Sequence, residues 1–363
     1  MMSTMNRVAW ESCILERRRD RSLESYARQR MGFPHPSVGY FVPVPWLARA
    51  VADLHPELGL LMHLEQSLAD LIILVVSQEN SCRFCYAAVR ALLWSQGMSR
   101  ARIERMEQDL SRADLSARAL AAIAFARSQS RSGPAAAATA RAAALAAGFS
   151  VEELKEIAFI AAITDFSNRA HTLPAIPVRP LERIPEQLHT RLMRPLIGRI
   201  MTSRRSRGRP TPLPQPPSYP YGRLVKTCAG APLAAALDRT LREMWDASEL
   251  TRRCKLLMFA VVARGLSCDA CAVDLHEALR HEGVKDAMLT QVLTHLDAPE
   301  LDPVERLLVP FARETIWYEP AAVQRRARAL RDRLTDAQLI AAIGVTSLAN
   351  GLCRMGPMVL DHA

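Results

Sequence analysis

The stretch SQENSCRFCYAAVRALL, residues 77–93, sets Cys82 and Cys85 three residues apart, directly after the apolar run LADLIILVVS. A Cys-x-x-Cys pair can be a redox centre, half of a zinc site, or two small residues packed in a core. A second pair, Cys268 and Cys271, stands in VVARGLSCDACAVDLHEALRHEG, an offset of 186 (268 − 82). The offset persists: Gly97 matches Gly283, Leu115 matches Leu301, and the FAR of Phe125–Arg127 matches that of Phe311–Arg313. Beyond it, pairing Asn168 with Asn350 requires a four-residue slip. A repeat of this length marks a duplicated domain rather than a solenoid unit.

The boundaries that follow are an N-terminal extension over 1–34, one repeat over 35–175, a Pro/Arg-rich linker over 176–219 and a second repeat over 220–363. The linker contains RPTPLPQPPSYPYG at 209–222, a composition that behaves as a semi-stiff spacer. Its middle, PEQLHTRLMRPLIGRIM, has the pattern of a short basic amphipathic helix packed on one domain. Each repeat reads as helical throughout, since no alternating β-branched or aromatic run is bounded by turns. In VEELKEIAFIAAITDF the predicted N-cap is Ser150, with Glu153 completing a capping box. Thr335 is the corresponding cap before LTDAQLIAAIGVTSLAN. The expected class is all-α, two tandem helical domains arranged as a pseudo-dimer that docks through its long apolar helices or its two C-terminal helices.

The chain has 363 residues, 49% hydrophobic and 23% charged, with a formal charge of +10. Part of that charge is the run RRSRGRP at 204–210, which reads as a solvated basic linker and not a nucleic-acid surface. No uninterrupted apolar segment suggests a membrane span, and the N-terminus has no signal-peptide core. A cytoplasmic, reducing setting is expected, with no membrane or nucleic-acid partner, and there Cys-x-x-Cys means redox or metal chemistry more than a structural staple. Pairs 186 residues apart on helix starts do not suit a zinc ribbon, so no metal is expected. No Gly-rich dinucleotide loop follows a strand, so no organic cofactor is expected.

Asn80 or Ser81 in the first repeat and Ser267 in the second are the predicted N-caps, with Gly265 ending the helix before Ser267. Each pair then begins a helix, where free N–H groups favour a thiolate. Arg83 and Arg90 flank the first pair and Asp269 and Asp274 the second, which predicts the first to be the more reactive. Core packing is the rival reading, above all for the second pair. Cys13, Cys228, Cys254 and Cys353 have no partner at useful spacing.

An apolar helix, Asn-x-Cys-x-x-Cys, a Gly ending the cysteine helix, LSARALAAIAFAR and then GFSVEELKEIAFIAAITDFSNR together resemble the carboxymuconolactone decarboxylase family, in its alkylhydroperoxidase D-like branch. The resemblance covers both repeats. It implies an all-α fold, assembly as trimers or hexamers, and peroxidase or disulfide reductase activity. The substrate would be a small-molecule peroxide or disulfide, and the electron donor a lipoyl or thioredoxin-like protein dithiol. By resemblance the second cysteine of each pair is reactive, assisted by a His four residues later and a Glu twelve residues before the first cysteine. Those positions hold Val89 and Leu275, and Asp70 and Leu256. The candidate catalytic set is therefore Cys82, Cys85, Asp70 and Glu79, with Cys268 and Cys271 as a secondary redox pair. Glu79 is a substitute base, His171 a histidine able to approach from another helix, and His276 and His281 lie on a wet face. A degenerate duplicate whose cysteines only pack, or a lactone lyase, are the alternatives.

Overall fold

The computed structural model describes residues 4–359 except 33–34, 59, 111–113, 133, 183–187, 204–207, 210, 214–217 and 229. The protein is all-α; among the described residues the only β-type pairing is an isolated bridge between Thr211 and Gly230. The first half runs α1 (Arg21–Met31), α2 (Pro45–Glu57), α3 (Gln66–Glu79), α4 (Arg83–Ser95), α5 (Arg100–Gln108), α6 (Ala117–Arg131), α7 (Pro134–Ala146) and α8 (Val151–Thr172). After α9 (Arg179–Glu182) and α10 (Leu188–Ser203) come α11 (Gly222–Thr227), α12 (Pro232–Asp246), α13 (Arg252–Gly265) and α14 (Asp269–His281). The chain ends with α15 (Asp286–His295), α16 (Pro303–Glu314), α17 (Pro320–Arg331) and α18 (Asp336–Val359). The order α2 to α8 thus recurs as α12 to α18.

The ends of these helices follow local chemistry. Ser150 and Glu153 form the capping box that starts α8. Thr335 and Gln338 make the equivalent reciprocal bonds at the start of α18. The cysteine helices start differently from the expectation. Ser81 and Ser267 adopt left-handed φ values of 52° and 53°, and Cys82 and Cys268 are themselves the N-caps of α4 and α14. A serine with positive φ reverses the chain but cannot cap, so that task passes to the next residue.

The most extensive helix pairing joins α8 to α18, both almost wholly buried. Their polar residues correct the sequence register. Arg169 donates from Nη1 to Asp165 Oδ1 at 3.0 Å and from Nε to Thr315 O at 2.9 Å. Arg354 donates from Nη1 to Asn350 Oδ1 at 2.7 Å and from Nε to Ser130 O at 2.9 Å. The structural partner of Asn350 is therefore Asp165, not Asn168. The offset here is 185 (350 − 165), the same as between the Ser150 and Thr335 caps. A guanidinium reaching back one turn to residue i−4 fixes that spacing, whereas the Asn–Asn match rested on letter identity alone.

The extension over 1–34 is tied to both halves. Ile14 N–H donates to Pro174 O, and Arg18 pairs with Asp336 at 2.6 Å. Helix α10 lies against the end of α4, with Arg194 donating to Trp94 O at 2.8 Å. Most of the basic run 204–210 lies outside the described residues. Helix α18 is long and apolar enough to cross a membrane by length and composition, and that stretch is entirely buried within the protein.

At the α8–α18 crossing a Cβ on Gly351 would stand 2.5 Å from Ala162 O. That oxygen belongs to a helix backbone and cannot step aside. Gly351→Ala should therefore lower stability by about 1–3 kcal/mol, read as a fall in the urea midpoint at unchanged slope. A variant as stable as the parent would show that the helices do not approach this closely.

Candidate active site

Cys82 and Cys85 are fully or nearly fully buried, at 0% and 7% exposure, beneath α3 and α8. As N-cap, Cys82 Sγ accepts the Cys85 N–H at 3.4 Å. Burial opposes its ionisation, but the Cys85 thiol and the Cys85 and Phe84 N–H groups, all directed at the sulfur from the helix start, outweigh it. The Cys82 thiol falls below its usual range. Cys85 is pushed well up, by burial and by donating to a sulfur that already carries charge. The two sulfurs are therefore unequal: Cys82 is the easier of the pair to ionise and Cys85 the harder.

Cys85 Sγ also meets Ser167 Oγ at 3.3 Å and His171 Nδ1 at 3.8 Å, both from α8. Ser167 Oγ in turn lies 2.8 Å from His55 Nε2 of α2. The other His55 nitrogen, Nδ1, is 2.8 Å from Val51 O, and a carbonyl partner assigns the proton to Nδ1. Nε2 is then a free acceptor, and Cys85–Ser167–His55 forms a continuous path for a proton. His171 Nδ1, 2.6 Å from Ser167 O, carries its proton by the same reasoning, while Nε2 accepts from Ser37 Oγ at 2.9 Å. His171 therefore presents an N–H to the Cys85 sulfur. Its ring stacks on Phe84 at 4.3 Å, and His35 stacks on His55 at 5.5 Å.

Of the residues singled out from sequence, only the cysteines and His171 meet here. Asp70 is buried in α3 and accepts from Gln66 Nε2 at 3.4 Å. Glu79 is held by Arg127 at 2.5 Å. The expected charge effect of Arg83 and Arg90 is also redirected: Arg83 pairs with Glu182 at 2.9 Å and Arg90 with Glu107 at 3.1 Å. Hydrogen bonds at a helix start, not neighbouring cations, ease the ionisation of Cys82. Sequence reasoning did not find His55, Ser167 or Ser37. The available signal was a histidine and a serine on otherwise apolar helix faces, at positions no spacing rule links to a cysteine. It also did not find Tyr318, between α16 and α17, which donates to Asn80 O at 3.2 Å and raises the second half over the first pair.

The second pair is a disulfide, Cys268 to Cys271. In the register set by the arginines, Leu352 and Gly356 replace Ser167 and His171. His276, expected on a wet face, is half-buried and lines a cleft with Cys268. Among the described residues no cluster of His, Cys, Asp and Glu is arranged to hold a metal ion. Compared with models of known families, with curated proteins and with solved structures, the chain matches none.

The histidines make a pH prediction. Burial lowers all three: His35 well below the usual range, His55 below it, and His171 to about 3. The unfolded chain takes up protons below pH ~6.5 that the folded chain refuses, so stability is full above that pH and declines toward about 3. Each such histidine adds a slope of about 1.4 kcal/mol per pH unit. Urea unfolding between pH 7 and 4.5 should show this loss, and His171→Gln should flatten it by about one proton. An unchanged slope would mean that His171 is protonated in the folded protein.

Proposed function

We propose that the protein is a thiol-dependent oxidoreductase that reduces a small hydroperoxide or disulfide at Cys82 and Cys85. The observation that carries this reading is the division of labour within the pair: Cys82 sits at a helix start with its ionisation eased, and Cys85 has a proton path through Ser167 to His55. Cys85 is the attacking sulfur, since it alone touches the proton-moving groups and is the more exposed of the two. As it attacks the terminal peroxide oxygen, its proton passes through Ser167 to His55 and the O–O bond breaks. The proton is returned to the departing alkoxide, giving an alcohol and a sulfenic acid on Cys85. The Cys82 thiolate then attacks Cys85 Sγ, forming the disulfide and expelling hydroxide, which is protonated to water. An external dithiol supplies two electrons to restore the pair. A buried neutral His55 keeps this path open in mild acid, where an exposed histidine would be charged.

Membership of the carboxymuconolactone decarboxylase family, in a tandem alkylhydroperoxidase D-like form, is part of this proposal. So are the pseudo-dimer arrangement of the halves, a cytoplasmic setting, a lipoyl or thioredoxin-like donor, and trimers of the chain. The α8–α18 pairing and the recurring helix order support the arrangement. The absence of Ser167 and His171 counterparts in the second half supports a single peroxide-reducing centre.

Near-stoichiometric peroxide should convert Cys82 and Cys85 to an intramolecular disulfide, seen by peptide mass mapping. With dithiothreitol as donor, Cys85→Ser should abolish peroxidase activity and Cys268→Ser should change it little. Ser167→Ala and His55→Gln should each slow oxidation of the pair by about a hundredfold. An unmodified pair after peroxide, or equal losses from the two cysteine pairs, would overturn the reading.

A further inference from the structure

The two halves differ most at one equivalent place. Beside the Cys268–Cys271 disulfide a cleft of about 520 Å³ opens between α13, α14 and α15. Cys268 forms part of its wall, with Ala272, His276 and Leu293 around it and Arg264 and Asp269 at its rim. At the 186-residue offset the first half has Tyr86 for Ala272, Arg90 for His276 and Glu107 for Leu293. Tyr86 is buried, and Arg90 and Glu107 are ion-paired at 3.1 Å, so bulk and charge occupy that place. One half fills the approach to its first cysteine from this side, and the other has an alanine in place of the tyrosine and a histidine and a leucine in place of the ion pair.

The rim has unspent charge. Among the described residues neither Arg264 nor Asp269 forms an ion pair, although both are exposed beside the disulfide. One exposed cation and one exposed anion on a cleft of this size match a small molecule carrying both a carboxylate and an ammonium group. The disulfide in the wall adds the remaining requirement, a thiol.

We propose that this cleft is a second thiol-exchange site, specific for a small zwitterionic thiol of amino-acid or short-peptide type. Arg264 takes the carboxylate and Asp269 the ammonium group, which aims the thiol at Cys268. The incoming thiol gives its proton to His276, and its sulfur attacks Cys268 Sγ. The Cys268–Cys271 bond breaks, leaving a mixed disulfide on Cys268 and a thiolate on Cys271. A second thiol attacks the mixed disulfide and releases the small-molecule disulfide. Two electrons and two protons have then passed from two thiols to the cysteine pair. This site is separate from the Cys82–Cys85 chemistry and does not depend on it.

The test uses the full chain with Cys82→Ser and Cys85→Ser, so that only the second pair can respond. Serine is a good N-cap, so α4 keeps its start. At equal thiolate concentration, glutathione should reduce the Cys268–Cys271 disulfide about tenfold faster than 2-mercaptoethanol, which has no charged groups. Arg264→Gln should remove that advantage, slowing glutathione about tenfold and 2-mercaptoethanol far less, and the trapped glutathione adduct should map to Cys268. Equal rates for the two thiols, an equal slowing of both by Arg264→Gln, or an adduct on Cys271 would each overturn the proposal. Peptide-resolved alkylation of the unsubstituted protein reads the same rates if the double variant does not fold. Failure at Cys82 and Cys85 would leave these outcomes untouched.

Discussion

Two buried arginines hold the centre of this molecule. Arg169 and Arg354, one from each of the long C-terminal helices, both donate to Ile316 O, at 3.1 and 3.0 Å. Each also reaches the final turn of a helix in the opposite half, Arg169 at Thr315 O and Arg354 at Ser130 O. The carbonyls at a helix end lack intrahelical partners, and the guanidiniums supply them. Asp165 is the carboxylate that both approach, also bound by Asn80 and Ser130 at 2.9 Å each. Burial, with Arg169 close by, brings Arg354 down to about 9. Such a network is costly to bury and costly to break, because removing one member strands the others without water. The two helices are consequently fixed in register as well as in contact.

The first cysteine pair inherits its geometry from that lock. Asn80 donates to Asp165 and stands two residues before Cys82, so the turn that makes Cys82 an N-cap is tied to the arginine network. The Asn80 carbonyl accepts from Tyr318, whose ring lies 5.4 Å from the Arg169 guanidinium. Four residues separate Asp165 from Arg169, and on the same helix Ser167 and His171 face Cys85. One helix therefore carries the arginine network on one side and the contacts to Cys85 on another. A sub-ångström shift of α8 would move the Ser167 hydroxyl relative to both the thiol and the imidazole.

The halves share a helix order and differ around their cysteines. Both begin the cysteine helix after a left-handed serine, and both cap the last helix with a hydroxyl residue. The first half surrounds its thiol with buried histidines and fills the outer approach with Tyr86 and the Arg90–Glu107 pair. The second half has no serine or histidine at the matching inner positions and leaves its outer approach open. Burying histidines costs stability in acid, and that cost falls on the half that carries His35, His55 and His171.

The sequence by itself determined the helical class, the duplication, the two cysteine helices and the hydroxyl caps of α8 and α18. These follow from local periodicity, capping chemistry and a repeated spacing, all of which act within a few residues along the chain. The 185 register of α8 and α18 was decided by guanidinium-to-carbonyl bonds between halves, which no letter match encodes. Only tertiary structure brought His55, Ser167 and His171 to Cys85, because a thiol selects partners by distance in space and these lie on two helices other than its own. It also removed Glu79, Arg83 and Arg90 from the site: each found an oppositely charged neighbour on another element. Charge along a sequence measures what is available, and packing decides where it is spent.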